Sequence, residues 1–395
     1  MFHCAHFVAE PNMSWTLIPE FLLGALCVLI VLYDVFQGVV VPRWTGRTLR
    51  LAPYFVDAVW PRWRRFALRR LNGQMREDFL GNFASFALMG ILLMWGVVLI
   101  FGYGLMLHAA GDGLKPPIHD YGSAFYAAGT SLLTIGFGDI VGVSALSRTL
   151  LLLAGASGLA VVALVISLTF TLYDAFKLRE TLVLTLDARA GTPPSGVTLL
   201  ETYAQFDLMD ELPATFGAWE MWSSQVLETH LAYPLLPFFR SSHDGESWVS
   251  AMGAVLDAAT LVLTTVEVGR DTQGLEYSIR SRGPAHMMYG LGCHAVTDLS
   301  HWFRFRVPIH PQDMTLREAA AAAGVERGEW QAARRRLAKI GYALREEEES
   351  WREFVKHRAV YAQALNTLAK HFASPPTQWI GDRSSITHLN HRAEN

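Results

Sequence analysis

Long apolar runs without charged residues divide the first half of the chain. An α-helix needs about 20 residues to cross the hydrocarbon core of a bilayer. Runs of that length extend from Thr16 to Val41, from Phe79 to Gly111 and from Thr149 to Tyr173. The first run contains Glu20 and Asp34, whereas the other two contain no Asp, Glu, Lys or Arg. The pattern predicts three transmembrane helices.

Another uncharged stretch, Tyr121 to Gly138, lies between the second and third predicted spans. It is too short for a comfortable span and ends in a glycine-rich turn. Non-helical backbone at membrane depth is tolerated only where it is buried in protein or lines a water-filled cavity. The stretch therefore predicts a re-entrant loop, and with it a pore.

The distribution of basic residues predicts the orientation of the spans. The segment from Pro42 to Asp78 contains nine arginines, whereas residues 111–120 contain one lysine and residues 1–14 contain no Lys or Arg. Because short cytosolic loops are enriched in Lys and Arg, we expect this segment and the C-terminal half in the cytosol and the N-terminus outside. We expect a multi-pass protein of the cell membrane, namely the bacterial inner membrane.

The basic segment also shows helical periodicity. Trp60, Trp63, Phe66, Ala67 and Leu71 recur at helical spacing, with arginines between them. One interpretation is an interfacial helix whose arginines bind anionic lipid headgroups at the inner leaflet. The other is a topology signal with no further role. A voltage sensor is disfavoured, because these arginines lie outside the predicted spans.

Asp34 is an unusual residue within the first span. A charged side chain at the centre of a membrane helix costs about 2.5–3.5 kcal/mol on insertion scales. Asp34 either pairs with an arginine of the following segment or lies near the inner interface, where water solvates it. We favour the solvated position.

The residues Thr134 to Asp139 carry the clearest chemical signal. Their sequence, Thr-Ile-Gly-Phe-Gly-Asp, resembles the selectivity filter of potassium channels, whose usual form is Thr-Val-Gly-Tyr-Gly-Asp. The resemblance covers residues 80–176 and indicates the prokaryotic type with two transmembrane helices and a pore loop, here with one extra N-terminal span. It implies an outer-mouth position for Asp139 and ion binding by Thr134, Ile135, Gly136, Phe137 and Gly138.

The physical requirements of such a filter agree with these residue types. Backbone carbonyls replace the water around a potassium ion, so successive carbonyls have to face one axis. This arrangement needs positive φ angles, which glycine adopts at little cost, and Gly136 and Gly138 supply them. Thr134 adds a hydroxyl at the inner end, whereas Ile135 and Phe137 point away from the axis. Phe137 lacks the hydroxyl of the usual tyrosine, which leaves the stability of the filter open.

The flanks of the filter predict two functional helices. Asp120 is suited to cap a pore helix from Tyr121 to Leu133, in which Phe125 and Tyr126 are candidates for an aromatic cuff. In the family, a glycine at the spacing of Gly158 is the hinge of the gate-forming inner helix. The alternative is that the small residues around it allow close helix packing. Gly155 competes for the hinge position.

The pattern of the C-terminal half predicts helices. No known ligand-binding fingerprint is visible in it. Apolar periodicity appears at about 198–230, 247–268, 286–303, 315–343 and 347–372. We expect an all-α regulatory or assembly domain whose ligand is unknown. The segment 249–266 is expected to be a buried helix rather than a fourth span, because Asp257 lies at its centre.

Residues 316–337 resemble a helix-turn-helix, which keeps open a membrane-bound DNA-binding sensor. A helical hairpin with a solvated basic face is the simpler interpretation, and we expect no nucleic acid partner. The three cysteines, Cys4, Cys27 and Cys293, form no disulfide or metal pattern. No enzyme motif is visible, so we expect no catalytic residues, no cofactor and no metal other than permeant K⁺ at the filter.

Together these patterns predict an all-α membrane protein with three transmembrane helices, one re-entrant pore helix and filter, and an all-α cytosolic C-terminal domain. Because one chain carries one filter loop, we expect a homotetramer that conducts K⁺ passively; a non-selective cation channel is the alternative. The predicted divisions are an N-terminal tail (1–14), first transmembrane helix (15–41), basic cytosolic loop with interfacial helix (42–78), pore domain (79–175), inner-helix extension and linker (176–196), helical cytosolic domain (197–372) and disordered tail (373–395).

Overall fold

A computed structural model describes residues 17–40, 51–241, 246–267, 275–305 and 314–380 of the chain. The predicted tail at 1–14 and residues 381–395 lie outside these ranges. The described chain forms two compact units, Met1–Phe66 with Asn82–Tyr173, and Ala67–Gly81 with Asp174–Asn395. The second unit therefore includes part of the predicted basic loop, which apolar periodicity alone did not assign to it.

Helices dominate both units. In chain order they are α1 (Ile18–Val35), α2 (Leu51–Arg70), α3 (Gly73–Gly81), α4 (Phe83–Ala109), α5 (Tyr121–Leu132), α6 (Ala145–Ala190), α7 (Gly196–Gln205), α8 (Leu212–Ala232), α9 (Trp248–Thr264), α10 (Leu275–Trp302), α11 (Leu316–Ala323), α12 (Arg327–Lys339) and α13 (Glu347–Phe372). The helices Ile18–Gly38, Gly73–Ala109 and Ala145–Ala190 are long and apolar enough to span a membrane. Within the described residues these are three candidate spans, and the prediction of an all-α membrane protein is confirmed.

Two short strands close the pore loop. β1 (Leu114–Lys115) precedes α5 and β2 (Val141–Gly142) precedes α6, and they pair antiparallel. The hydroxyl of Ser147, in the first turn of α6, donates to the carbonyl of Gly113 at 2.5 Å. These bonds bring the start and the end of the pore loop together, so the residues between them leave and return to the same place.

The first span, α1, packs directly against α4. A Cβ on Gly24 would lie 2.5 Å from the carbonyl oxygen of Gly102, and a Cβ on Gly102 would lie 2.8 Å from that of Gly24. Only glycine permits this approach of two backbones, as is common between membrane helices. Nearer the start of α1, Glu20 Oε1 lies 2.9 Å from His108 Nδ1. The helices are thus held together at several depths.

The preferred prediction for Asp34 is wrong. The residue is fully buried, and its carboxylate accepts hydrogen bonds from the Trp95 indole at 2.8 Å and from the Ala52 amide at 3.0 Å. A buried carboxylate is tolerated when such donors satisfy it. Asp34 therefore joins α1, α2 and α4, and bulk water does not solvate it.

The helix α9 forms the centre of the second unit. All of its residues are buried, as predicted for a buried helix, and it contacts α7, α10 and α13. At its middle, Asp257 accepts hydrogen bonds from Arg358 Nε at 2.8 Å and from the Tyr361 hydroxyl at 2.6 Å. The only acidic residue of α9 is thus paired inside the unit.

The predicted disordered tail at 373–395 is wrong for residues 373–380. Thr377, Trp379 and Ile380 are buried, and the Trp379 carbonyl accepts a hydrogen bond from Arg358 at 2.8 Å. Ile380 occupies the space that a side chain on Gly253 would fill. A few apolar residues therefore anchor a segment whose composition is mainly polar.

Two predicted long helical segments are each interrupted. Residues 198–230 are divided between α7 and α8, and residues 315–343 between α11 and α12. Asp207 (φ +56°) and Gly324 (φ +67°) adopt left-handed backbone conformations at these breaks. The apolar periodicity continues across both turns, which is why the sequence pattern did not separate the helices.

The part of α6 that belongs to the second unit is anchored by Arg179. This side chain is 2% exposed and donates to the carbonyl of Phe239 at 2.7 Å. Its Nη1 lies 3.3 Å from His230 Nε2. Because a guanidinium only donates, the His230 ring is neutral and accepts at this nitrogen.

His230 makes the stability of the second unit dependent on pH. Burial, together with the charge of Arg179, holds the pKa of His230 well below its ordinary value of 6.5. Below that value the unfolded chain binds a proton that the folded unit excludes. The free energy of unfolding should therefore decrease as the pH falls below about 6.5, by up to about 1.4 kcal/mol per pH unit.

Urea unfolding of the full chain in detergent at about pH 7.5 and about pH 5.5 measures this effect. The variant His230→Gln, whose amide oxygen still accepts from Arg179, should lose that part of the pH dependence. His294→Gln removes an exposed histidine of the same unit and should behave as the wild type. An equal pH dependence in all three proteins would contradict the assignment.

Candidate ion-conduction site

The helix before the filter is α5, and its start is set by Asp120. The Asp120 carboxylate accepts a hydrogen bond from the Ser123 amide at 2.8 Å, as predicted for an N-cap. The helix ends at Leu132, one residue earlier than expected, and Leu133 is its C-cap. Ala124, Ala127 and Ala128 are buried, so a face of small residues packs α5 into the first unit.

A specific turn leads from α5 into the filter. The Thr134 amide donates to the Ser131 carbonyl at 3.0 Å, and the Ile135 amide donates to the Thr130 carbonyl at 2.8 Å. This pair of bonds is a Schellman motif, in which the residue after the C-cap is left-handed. Thr134 takes that position with φ +55°. The sequence did not suggest this, because glycine usually occupies it.

The turn fixes the direction of the first filter carbonyls. The amides of Thr134, Ile135 and Gly136 all donate to carbonyls at the end of α5. In a trans peptide the carbonyl points opposite to the amide hydrogen of the next residue. The carbonyl oxygens of Leu133, Thr134 and Ile135 therefore point away from α5, which leaves them free to face an ion.

Left-handed conformations alternate along the filter. Thr134, Gly136 and Gly138 have φ angles of +55°, +60° and +80°. The prediction that Gly136 and Gly138 supply positive φ is confirmed. Neither glycine has another residue within 4 Å of an added Cβ, so the requirement for glycine is conformational rather than steric.

The apolar side chains of the filter are largely exposed in the single chain. Ile135 is 51% exposed and Phe137 is 68% exposed, and the neighbouring Leu133 is 62% exposed. The Phe137 ring lies parallel to Tyr126, with ring centroids 6.4 Å apart. One chain thus provides only one side of the surroundings that these residues need.

Tyr126 has a role that the sequence reasoning missed. Its hydroxyl donates to the Asp139 carboxylate at 2.8 Å. The bond ties Asp139, which follows the filter residues, to α5, and its donor is Tyr126 rather than the aromatic residue Phe137. Tyr126 was predicted from its position in the pore helix as an aromatic cuff residue, but nothing in the sequence indicated Asp139 as its partner.

Gly158 lies against the C-terminal end of α5. A Cβ at this position would be 1.8 Å from the Leu132 carbonyl oxygen, whereas a Cβ on Gly155 would be 3.3 Å from that of Ser131. The contact agrees with the packing interpretation of Gly158, and its action as a hinge stays a prediction. Nearby, the Tyr103 hydroxyl lies 2.7 Å from the Ser157 hydroxyl, which joins α4 to α6.

Comparison with known proteins gives one finding for this region. Residues 90–174 match the model of a protein family described as "Ion channel". No curated protein and no solved structure matches the chain. The matched residues include α5, the filter and most of the membrane part of α6, so the predicted pore-loop channel domain is confirmed. The chain is a membrane protein with an ion channel domain.

Proposed function

We propose that this chain is one subunit of a homotetrameric, potassium-selective channel that conducts K⁺ passively. The observation that carries the proposal is the backbone of residues 134–138. Its alternating positive φ angles, together with amides that bond back to α5, support carbonyl oxygens directed away from α5. Stacked carbonyls of this kind replace the hydration shell of K⁺.

The exposure of apolar side chains in and beside the filter supports the need for further copies of the chain. Leu133, Ile135 and Phe137 are more than half exposed in one chain. Backbone carbonyls at membrane depth have to face water, an ion or protein. Four copies around one axis supply a complete ring of oxygens and cover the apolar side chains. Because Asp139 follows the filter, we place it at the outer mouth.

We also propose that the N-terminus is outside, that the C-terminal unit is cytosolic, and that the membrane is a bacterial inner membrane. The nine arginines between Pro42 and Asp78 support this orientation. Trp60 and Trp63 of α2 pack against Phe83 at the start of α4, with ring centroids 4.7 Å and 5.8 Å apart. With α2 held beside α4 by these rings, its exposed arginines bind anionic lipid headgroups.

A nucleic acid partner is disfavoured by the contacts of α12. Arg336 bonds to Glu201, and Arg327 lies 2.7 Å from Glu348. Arg334 donates to the Arg345 carbonyl. These arginines already have partners within their own unit. DNA binding would have to compete with those contacts.

Conduction by the full chain in liposomes tests the proposal. A reversal potential that follows the K⁺ gradient in mixed K⁺ and Na⁺ supports a selective channel. A reversal potential near zero under the same gradients indicates the non-selective alternative. The absence of any flux would contradict the proposal. Crosslinking in the membrane should give a tetramer, and a monomer would contradict the arrangement.

The glycines of the filter provide the sharpest mutational test. Gly136→Ala should abolish K⁺-selective conduction, because a side chain disfavours φ +60° by about 1–2 kcal/mol in each subunit. Gly129→Ala in α5 is the matched control, since its Cβ would meet Ile100 at an ordinary 3.8 Å. Normal selective currents from Gly136→Ala would show that this backbone does not form the filter.

A further inference from the structure

A short segment of the second unit, Leu236 to Arg240, contacts both stretches of chain that connect with the pore helices. We call it the junction segment. Its first residues form a 3₁₀ turn, Leu236–Phe238, after α8. On one side it binds α6, and on the other it binds α3, which ends at Gly81, just before α4 begins at Phe83.

The contact with α6 is made by Arg179. Its guanidinium donates to the carbonyls of Leu236 at 3.3 Å and Phe239 at 2.7 Å. The rings of Phe176 and Phe239 lie 5.7 Å apart beside it. The Trp222 indole donates to the Arg179 carbonyl at 3.0 Å. The extension of α6 is therefore held by both the side chain and the backbone of Arg179.

The contact with α3 is made by the next residue along the chain. Arg240 Nη2 lies 2.5 Å from Glu77 Oε2 and 2.9 Å from the Ala373 carbonyl. Its Nη1 donates to the Phe372 carbonyl at 3.2 Å. These carbonyls end α13, where the partial negative charge of a helix favours a cation. Arg240 thus joins α3 to the end of the long helix α13.

These contacts are largely shielded from water. The side chains of Arg240 and Glu77 are 17% and 24% exposed, and Arg179 is 2% exposed. Charge-assisted hydrogen bonds shielded from water are stronger than exposed ion pairs. Phe239 and Arg240 are consecutive, so one short stretch of chain makes both contacts.

We propose that the junction segment is the coupling element through which the C-terminal unit acts on the pore. It holds the extension of α6 together with α3, the helix that leads into α4. A shift of α8 or α13 therefore alters the open probability of the channel. Arg179, Arg240 and Glu77 are positioning residues. The inference rests on the proposed channel function and adds the route by which the channel is regulated.

Single-channel recordings of the full chain in planar bilayers test this coupling. Glu77→Gln and Arg240→Gln should each change the ratio of open to closed time by about fivefold or more, because coupling between sites is usually of that size. The double variant should match Arg240→Gln, because that substitution already breaks the contact between Arg240 and Glu77. Single-channel conductance and K⁺ selectivity should not change. Asp78→Asn, an exposed neighbour on α3, should leave open probability at the wild-type value.

Conservative variants keep the test decisive when a charge deletion prevents folding. Glu77→Asp and Arg240→Lys preserve charge and should shift open probability less than the glutamine variants. Wild-type open probability in the glutamine variants, or additive effects in the double variant, would overturn the coupling. Absence of K⁺ current in the wild type would instead overturn the proposed function, and the coupling with it. The two failures can be told apart because these substitutions lie outside residues 134–138 and should leave conduction itself intact.

Discussion

Gly158→Ala should abolish selective K⁺ conduction. The added methyl group would lie 1.8 Å from the Leu132 carbonyl oxygen and 2.8 Å from its carbonyl carbon, so α5 or α6 has to move. Overpacking of this kind costs about 1–3 kcal/mol in each subunit. Leu132 is followed two residues later by Thr134, so a displaced helix end also displaces the turn that directs the filter carbonyls. Liposome flux and the thermal stability of the proposed tetramer measure the effect.

The same substitution separates the two interpretations of Gly158. If the residue serves close packing, the variant should lose selectivity and tetramer stability together. If it serves as a hinge, selectivity should survive and only the open probability should change. Gly96→Ala is the matched control, because an added Cβ on this α4 glycine has no neighbour within 4 Å. A Gly158→Ala channel with normal filter properties would show that the steric argument is wrong.

Arg358→Met should destabilise the second unit by about 3–5 kcal/mol, the usual cost of leaving a buried charge without its partner. Arg358 is fully buried, and it donates to Asp257 at 2.8 Å and to the carbonyls of Ala323 and Trp379. The substitution leaves Asp257 and two carbonyls without this donor. It should also release residues 377–380 from α13. Urea unfolding of the full chain, with hydrogen exchange for the C-terminal segment, measures both effects.

An exposed ion pair on the same helix provides the control. Arg352 lies 3.5 Å from Glu348, and its side chain is 59% exposed. Exposed pairs contribute about 0–1 kcal/mol, so Arg352→Met should change the free energy of unfolding little. Replacing both Arg358 and Asp257 with apolar residues should recover part of the loss, because no charge is then left buried. Equal effects of Arg358→Met and Arg352→Met would contradict the role of the buried pair.

The pore loop could be predicted from sequence because its requirements are local. Gly136 and Gly138 encode the backbone conformation at their own positions, and Asp120 encodes the start of the pore helix three residues before the amide that it caps. The three spans follow from length and hydropathy. Thr134 is the exception in this region. Its left-handed conformation depends on two hydrogen bonds at the end of α5, which the residue type itself does not indicate.

The features that sequence reasoning missed depend on distant partners. The Asp34 carboxylate accepts a hydrogen bond from Trp95, which lies 61 positions away. The hydropathy of Asp34 alone therefore did not indicate that its environment is buried. Glu77 belongs with Arg240, 163 positions away, although it lies in a segment defined only by its arginines. Ile380 is ordered because Gly253 leaves space for it. Such pairs become visible only when the packed elements are known.

Tyr126 and Asp139 lie in one chain, and this has a consequence for the stoichiometry of the proposed channel. In the proposed tetramer, each subunit makes this hydrogen bond within its own chain. Loss of the bond in one subunit therefore leaves it intact in the other three. In a proposed tetramer that mixes intact and altered subunits, the number of these bonds should fall in proportion to the number of altered copies.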